Sequence, residues 1–237
     1  MAFEPGLNSR YYAGSTRFSV FGKSLDCEVT CNQLDTSSTE DTAQVFINGQ
    51  KNGSASIDMM LDTEHATQFS LLNTWQTTPQ PVTVGLSGVA LSATVWMLLG
   101  NQSSVSFGSN VGDLVSTTVA IQPDGGVDWG QVVAVEAAVT ADGNGTAVDG
   151  AAGTTNGGVA HIHSTAFSGL TSNVVTIEHS VNGTTGWDTL VTFATVTGIG
   201  SERVVVAPAT AVRRYLRVVD DVTGTGSHTR FVTFARR

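Results

Sequence analysis

From Asn52 to Glu202 the chain contains no lysine and no arginine. A stretch that long without a cation offers no basic groove to a phosphate backbone, which excludes ordinary nucleic-acid binding through it. Charge is sparse throughout: Asp, Glu, Lys and Arg make up 13% of the 237 residues, against 26 glycines, with only 5 prolines and 7% aromatics. That balance suits strands joined by small-residue turns and argues against a helical bundle. Cysteine is almost absent. Cys27 and Cys31 stand four residues apart, about 13 Å along an extended strand, too far to bridge. With no CxxC pair there is no thiolate zinc site either, so two buried thiols in a reducing compartment are expected.

Long apolar runs are missing as well. The longest, 89–99, is interrupted by Ser92 and Thr94 and is too short to span a bilayer. The start, MAFEPGLNSRYYAG, has no basic segment leading into an apolar one, so no secretory signal is expected. The expectation is a soluble protein made in a cytoplasm, with no membrane insertion of its own.

What charge there is lies unevenly. Residues 1–140 carry 13 acids and 4 bases, and 141–237 carry 7 of each, so the whole net charge of −9 belongs to the first part. An acidic surface repels DNA at short range, which is compatible with a wall that DNA slides past. A chain of this length holds one large β domain or two smaller ones.

Alternation marks strands at 16–33, with a break at Gly22, and at 45–61, where Ala55, Ile57, Met59 and Leu61 oppose Ser54, Ser56 and Asp58. Between them DTSSTEDTAQ (35–44) is polar, acidic and aperiodic, a long exposed loop or hairpin tip. Residues 62–76 read as the one helix: Asp62 or Thr63 caps it, Glu64 sits in its first turn, and Ala66, Phe69, Leu72 and Trp75 form its apolar stripe. Further strands follow at 82–87, 91–99, 104–107 and 115–121, then a PDGG turn at 123–126 and a strand at 131–139. The Gly-, Ala- and Thr-rich 141–158 reads as a linker. Beyond it come regularly spaced strands at 159–167, 174–181, 189–196, 202–206, 212–219 and 229–235, the pattern of an antiparallel sandwich. The expected fold is therefore all-β: domain 1–140 with one flanking helix, linker 141–158, and a C-terminal sandwich at 159–237.

Candidate chemistry is thin. His161 and His163 share a strand face and could converge on a metal, but a third ligand would have to come from His179, Glu178 or His228, and no carboxylate stands in a matching strand position. Both faces of 159–167 are mixed, so the burial of the pair cannot be read. No G-x-S-x-G, phosphate loop or dinucleotide fingerprint is present, and the acids are not paired for acid–base work. No catalytic residue, metal or cofactor is expected. In VRRYLRVVD (212–220), Arg213, Tyr215 and Arg217 share a face suited to a phosphate or sugar, or to acids on a neighbouring strand or subunit. Together with Trp187 they form a possible exterior face for glycan stacking, the alternative function being a host-surface binding module.

The run VTIEHSVNGTTGWDTLVTFATVTG, followed by ERVVV, VRRYLRVV and FVTFARR, resembles the C-terminal half of tail tube proteins of long non-contractile phage tails, those of actinobacteriophages above all. The family phrase "hSxDgxtWxdLxtF" is matched at His179, Ser180, Trp187, Leu190 and Phe193; its "RRYLR" at Arg213–Arg217; its terminal "FAR" at Phe234–Arg236. TTNGGVAHIHSTAFSG resembles the family's "TTNGGxAxxHxxA", which places His163 where the family often carries a histidine without metal. GGVDWGQVV (125–133) resembles its "dGGVdrGxxL" turn, with Trp129 in place of a small or basic residue. The resemblance implies a structural, non-enzymatic virion protein of phage tails, assembled in the host cytoplasm. It implies a β-sandwich that closes with its neighbours into hexameric rings, stacked into a tube whose lumen passes dsDNA without specific binding. It also implies a loop reaching to the next ring, here Asp35, Thr36, Ser37, Ser38, Thr39, Glu40 and Asp41, and an exterior C-terminal sandwich. The implied partners are the protein itself, a tape measure protein, a tail terminator and distal tail proteins.

Overall fold

The computed structural model describes residues 8–40, 42–61, 66–109 and 114–237. In chain order its elements are β1 (Arg10–Ala13), β2 (Thr16–Arg17), a single 3-10 turn (Phe18–Val20), β3 (Gly22–Asp35), β4 (Phe46–Met60), α1 (Ala66–Trp75), β5 (Gln80–Gly85), β6 (Thr94–Gly108) and β7 (Ser116–Val139). They continue with β8 (Gly143–Asn144), β9 (Val148–Asp149), β10 (Gly158–Ser180), β11 (Asp188–Thr192), β12 (Gly200–Val206) and β13 (Tyr215–Arg236). The fold is all-β, its registered strand pairs antiparallel, with one short helix.

The chain divides into two compact units: a larger one of residues 1–20, 80–97 and 128–237, and a smaller one of 21–79 and 98–127. This corrects the expected boundary at 141–158. Residues 131–139 of β7 pair with 228–234 of β13, so the chain on either side of the supposed linker belongs to one sheet. The Gly-rich segment itself is tied down: β8 and β9 pair with β13, and Thr154 exchanges backbone hydrogen bonds with Val212 at 2.9 and 2.8 Å. Its small residues permit close approach rather than freedom, since a Cβ on Gly145 would lie 2.9 Å from the Val218 carbonyl.

In the larger unit β10 and β13 run side by side for almost their whole length, where short separate strands are expected from the sequence. Each folds over on itself. Register shifts fall between Ser164 and Leu170 and again between Leu170 and Ser172, and Gly169 (φ 73) and Gly224 (φ 102) take left-handed conformations. A Cβ on either would sit 2.7 Å from opposing backbone, on Thr225 O and Thr171 N. The fold-over brings Ala160 and Ile162 into one cluster with Val175 and Ile177 of the same strand, packed with Leu216, Val218, Val232 and Phe234 of β13. A second cluster takes the alternate residues: Val159, Phe231 and Ala235, with Tyr12, Val95, Met97 and Val132. Neighbours such as Val159 and Ala160 therefore enter different cores, so 158–164 is buried on both faces.

In the smaller unit β3 pairs with β4, and residues 55–60 of β4 pair with 116–121 of β7. The PDGG segment is not a turn between strands. It runs inside β7, with Gly125 and Gly126 at φ 79 and 90. The helix begins at Ala66, and the expected cap and first-turn residues Asp62, Thr63 and Glu64 lie outside the described residues. Its buried stripe is Gln68, Leu72 and Trp75, spaced i, i+4, i+7; Phe69 is exposed and meets the Phe107 ring at 5.7 Å. Trp75 donates to the Gly100 carbonyl at 2.6 Å and Gln68 to the Met60 carbonyl at 3.3 Å, tying the helix to β6 and to the end of β4. Cys27 and Cys31 are exposed, not buried, because they lie on β3, a strand paired on one side only and with no buried residue.

Candidate assembly surface

The β3–β4 hairpin follows from strict alternation. Opposite partners Leu25–Ile57 and Cys27–Ala55 continue onto β7 at Val119 and Ile121, forming an apolar face. The intervening pairs Asp26–Ser56, Glu28–Ser54 and Ser24–Asp58, with Ala120 and Thr118 on β7, form the other face from carboxylates and hydroxyls. On the apolar face Ala55, Ile57, Met59, Val119 and Ile121 are buried, but β3 is not: Val29 remains 47% exposed, and no residue of this 14-residue strand is buried. Among the described strands β3 pairs with β4 alone, which leaves its other edge a row of open backbone donors and acceptors. A long edge strand of this kind is a template for another chain unless it is covered.

On the second face Asp58 and Glu28 are hydrogen-bonded by hydroxyls, with no ion pair among the described residues. Thr118 and Ser24 donate to the two carboxylate oxygens of Asp58 at 2.5 and 2.8 Å, and these bonds keep its carboxyl below the usual range. Ser54 donates to Glu28 at 3.5 Å. Gly53 has no room for a side chain, because a Cβ would lie 2.6 Å from the Glu28 carbonyl.

The tip is ordered by its own side chains. Asp35 accepts from the Ser37 amide and hydroxyl at 2.9 and 2.5 Å, and the Ser37 hydroxyl accepts from the Val45 amide at 2.8 Å. Thr36 donates its amide to Val45 O at 2.8 Å, and Ser38 accepts from the Glu40 amide at 3.3 Å. Asp35, Thr36, Ser37, Ser38, Thr39 and Glu40 are all exposed; Asp41 lies outside the described residues. Sequence reasoning missed what flanks this polar tip. Leu34, Val45, Phe46 and Ile47 are each about half exposed, an apolar collar on both faces of the hairpin end.

The remaining candidate residues sit in the larger unit and are engaged there. Arg217 pairs with Glu178 at 2.7 Å and lies 4.4 Å over the Trp187 ring, covering one of its faces. Arg213 pairs with Asp188 at 2.5 Å and donates to the Gly186 carbonyl. Tyr215 has the Arg214 guanidinium 5.1 Å from its centroid, and a Cβ on Gly183 would be 2.8 Å from its ring. Arg217 thus covers one face of Trp187, while Arg213 and Tyr215 are engaged by Asp188, the Gly186 carbonyl and Arg214.

His161 and His163 are fully buried, and one nitrogen of each ring meets a distant residue, Thr83 of β5, while His161 Nε2 has no hydrogen-bond partner among the described residues. His163 Nδ1 donates to Gly14 O at 2.7 Å, so its Nε2 accepts from the Thr83 hydroxyl at 2.8 Å. Thr83 Oγ1 in turn accepts from His161 Nδ1 at 3.1 Å. Burial holds His163 down to about 4 and His161 well below its ordinary value. His179 accepts from the Arg213 amide instead of joining them. Among the described residues no group of three or more His, Cys, Asp or Glu is placed to hold a metal.

No family model matches the chain, and no curated protein matches it. Solved structures with partial likeness include a chain of the virion of a native gene transfer agent particle (TM-score 0.44, 9% identity, 54% of this chain and 98% of that one). Another is the SPP1 tail tube (TM-score 0.40, 9% identity, 52% of this chain and 77% of that one). A third is the SPP1 Dit hub adsorption protein (TM-score 0.38, 10% identity, 96% and 99%). At these values the likenesses carry no functional argument by themselves.

Proposed function

We propose that this chain is a structural subunit of a phage virion that polymerises, as stacked hexameric rings, into the tube of a long non-contractile tail. The observation that carries the proposal is β3: a 14-residue edge strand exposed on both faces, one face apolar and the other acidic. A second copy of the chain is the partner whose strand completes the open edge and covers Leu25, Cys27 and Val29, since head-to-tail pairing, in which this edge meets a different edge of the next copy, closes into rings. The carboxylate and hydroxyl face of Asp26, Glu28 and Asp58 then lines the lumen, where its negative charge keeps dsDNA moving without sticking. The ordered tip, with its apolar collar, reaches the next ring. The motif run from 125 to the C-terminus supports the same family. In this reading the protein is not an enzyme, its location is the virion tail, and a tape measure protein, tail terminator and distal tail proteins are its other partners.

The test is removal of residues 36–43. Because the described residues of this segment are exposed and lie outside the strands, the protein should keep its circular-dichroism spectrum and melting behaviour while losing tube growth. Normal tubes from the deletion would show that the tip does not join rings.

A further inference from the structure

A buried polar chain runs across the inside of the bend where β10 and β13 fold over. Arg230 pairs with Asp220; Asn173 Nδ2 donates to Asp220 Oδ1 at 2.9 Å and also lies 3.0 Å from His228 Nδ1; His228 Nε2 is 2.9 Å from Ser164 Oγ. All five side chains are buried. Ser164 and Asn173 belong to the same strand and would stand about 30 Å apart if it were straight, yet a single imidazole bridges them. The chain therefore ties the two arms of each strand together across the bend.

Its polarity is fixed by chemistry. A carboxylate only accepts, so the Asn173 atom against Asp220 is the amide nitrogen, and that nitrogen has no lone pair to offer His228. His228 Nδ1 must accept, which puts the single ring proton on Nε2, donating to Ser164. A second proton on Nδ1 would face an N–H donor. Turning the Asn173 amide to receive it would set Asn173 Oδ1 against the Asp220 carboxylate. The charged groups facing His228 are Asp220 and Arg230, both from β13; β10 adds Ser164, Asn173 and the Phe167 ring at 5.5 Å, and β7 brings only Val139 into register beside it.

We propose that this network is a proton-operated latch on the bend, closed while His228 is neutral and released when Nδ1 takes a proton. The same geometry resembles a Ser–His–Asn relay without being one, because the ring proton points at the serine and leaves no base to activate it. Burial, opposed by Asp220 and aided by Arg230, holds His228 down to about 4. A locally opened bend, in which the ring titrates near 6.5, therefore gains roughly thirtyfold in population between pH 7.5 and pH 5.

Nitrogen-15 NMR of the full chain at pH 7.5 should show His228 as the Nε2–H tautomer while His161 and His163 are Nδ1–H. Hydrogen exchange, corrected for intrinsic rates, should rise about thirtyfold at 165–172 and 223–229 on moving to pH 5. In His228→Gln that rise should vanish at the bend and persist around His161 and His163. An Nδ1–H tautomer at His228, no rise at the bend, or an equal rise in the variant would overturn the latch. The two wild-type measurements decide it even where the variant does not fold.

Discussion

In the larger unit ten acidic residues stand against nine basic ones, and all six ion pairs between described residues are there, from Arg17–Glu136 to Arg237–Asp128. In the smaller unit ten acids stand against two bases, a net charge of −8 against −1, and the described carboxylates are supported by hydroxyls or left in the open. The first buries histidines, an arginine and an aspartate; the second exposes an entire 14-residue strand. One unit pairs most of its charges internally, whereas the other leaves its acids without ion-pair partners among the described residues and a 14-residue edge strand open. On the proposed function that difference separates a scaffold from an assembly surface, and each mutation below is aimed at one side of it.

The largest effect is expected at Asp220. Replacing it with Ala strands Arg230 as an uncompensated buried charge, which costs about 3–5 kcal/mol, whereas Asp58→Asn in the smaller unit should cost under about 1 kcal/mol. Denaturant titration of both variants checks the contrast, and equal losses would break it.

Acid comes next. His163 and His228 titrate at about 4 in the folded state, below their ordinary 6.5, so the unfolded chain binds protons first. Their contribution is complete above pH 6.5 and falls away as the pH drops toward 4, by on the order of 3 kcal/mol each. The carboxyl of Asp58 is lowered, so what it contributes persists to lower pH before it too is lost. Residue-resolved hydrogen exchange should therefore show the larger unit loosening before the smaller as pH falls from 7 to 4.5.

These contrasts show where the sequence was readable. Strand alternation on β4 was plain because one face is covered and the other is not, so Ala55, Ile57 and Met59 separate cleanly from Ser54, Ser56 and Asp58. Around His161 the same reasoning stalls, because β10 is buried on both faces and the pattern loses its period. Nothing local announces that Thr83, some eighty residues away, will hold both rings. Long strands were read as pairs of short ones because Gly169, Gly224 and the PDGG glycines punctuate like turns but act as bends and irregularities within continuous strands. The domain boundary failed for a related reason. Small residues at 141–158 look like slack, and here they are what lets β8 and β9 lie close against β13. The polar tip at 35–44 was legible; its apolar collar was overlooked because isolated exposed apolar residues carry little signal.

Smaller in energy but sharper in meaning is the collar itself. Leu34→Ser combined with Ile47→Ser should change monomer stability by no more than about 0.5 kcal/mol, since both are exposed, yet sedimentation velocity should show assembly lost. The smallest expected effect is Ser24→Ala, which removes one of two hydroxyls from Asp58. Carbon-13 titration should find its carboxyl moved upward toward the ordinary value, with little change in melting temperature.

The central claim, that the exposed hairpin is completed by further copies of this chain, is tested most directly by negative-stain electron microscopy of the purified protein, alone and primed with tail components. The account predicts rings or tubes of constant diameter. A protein that stays strictly monomeric under both conditions would contradict it.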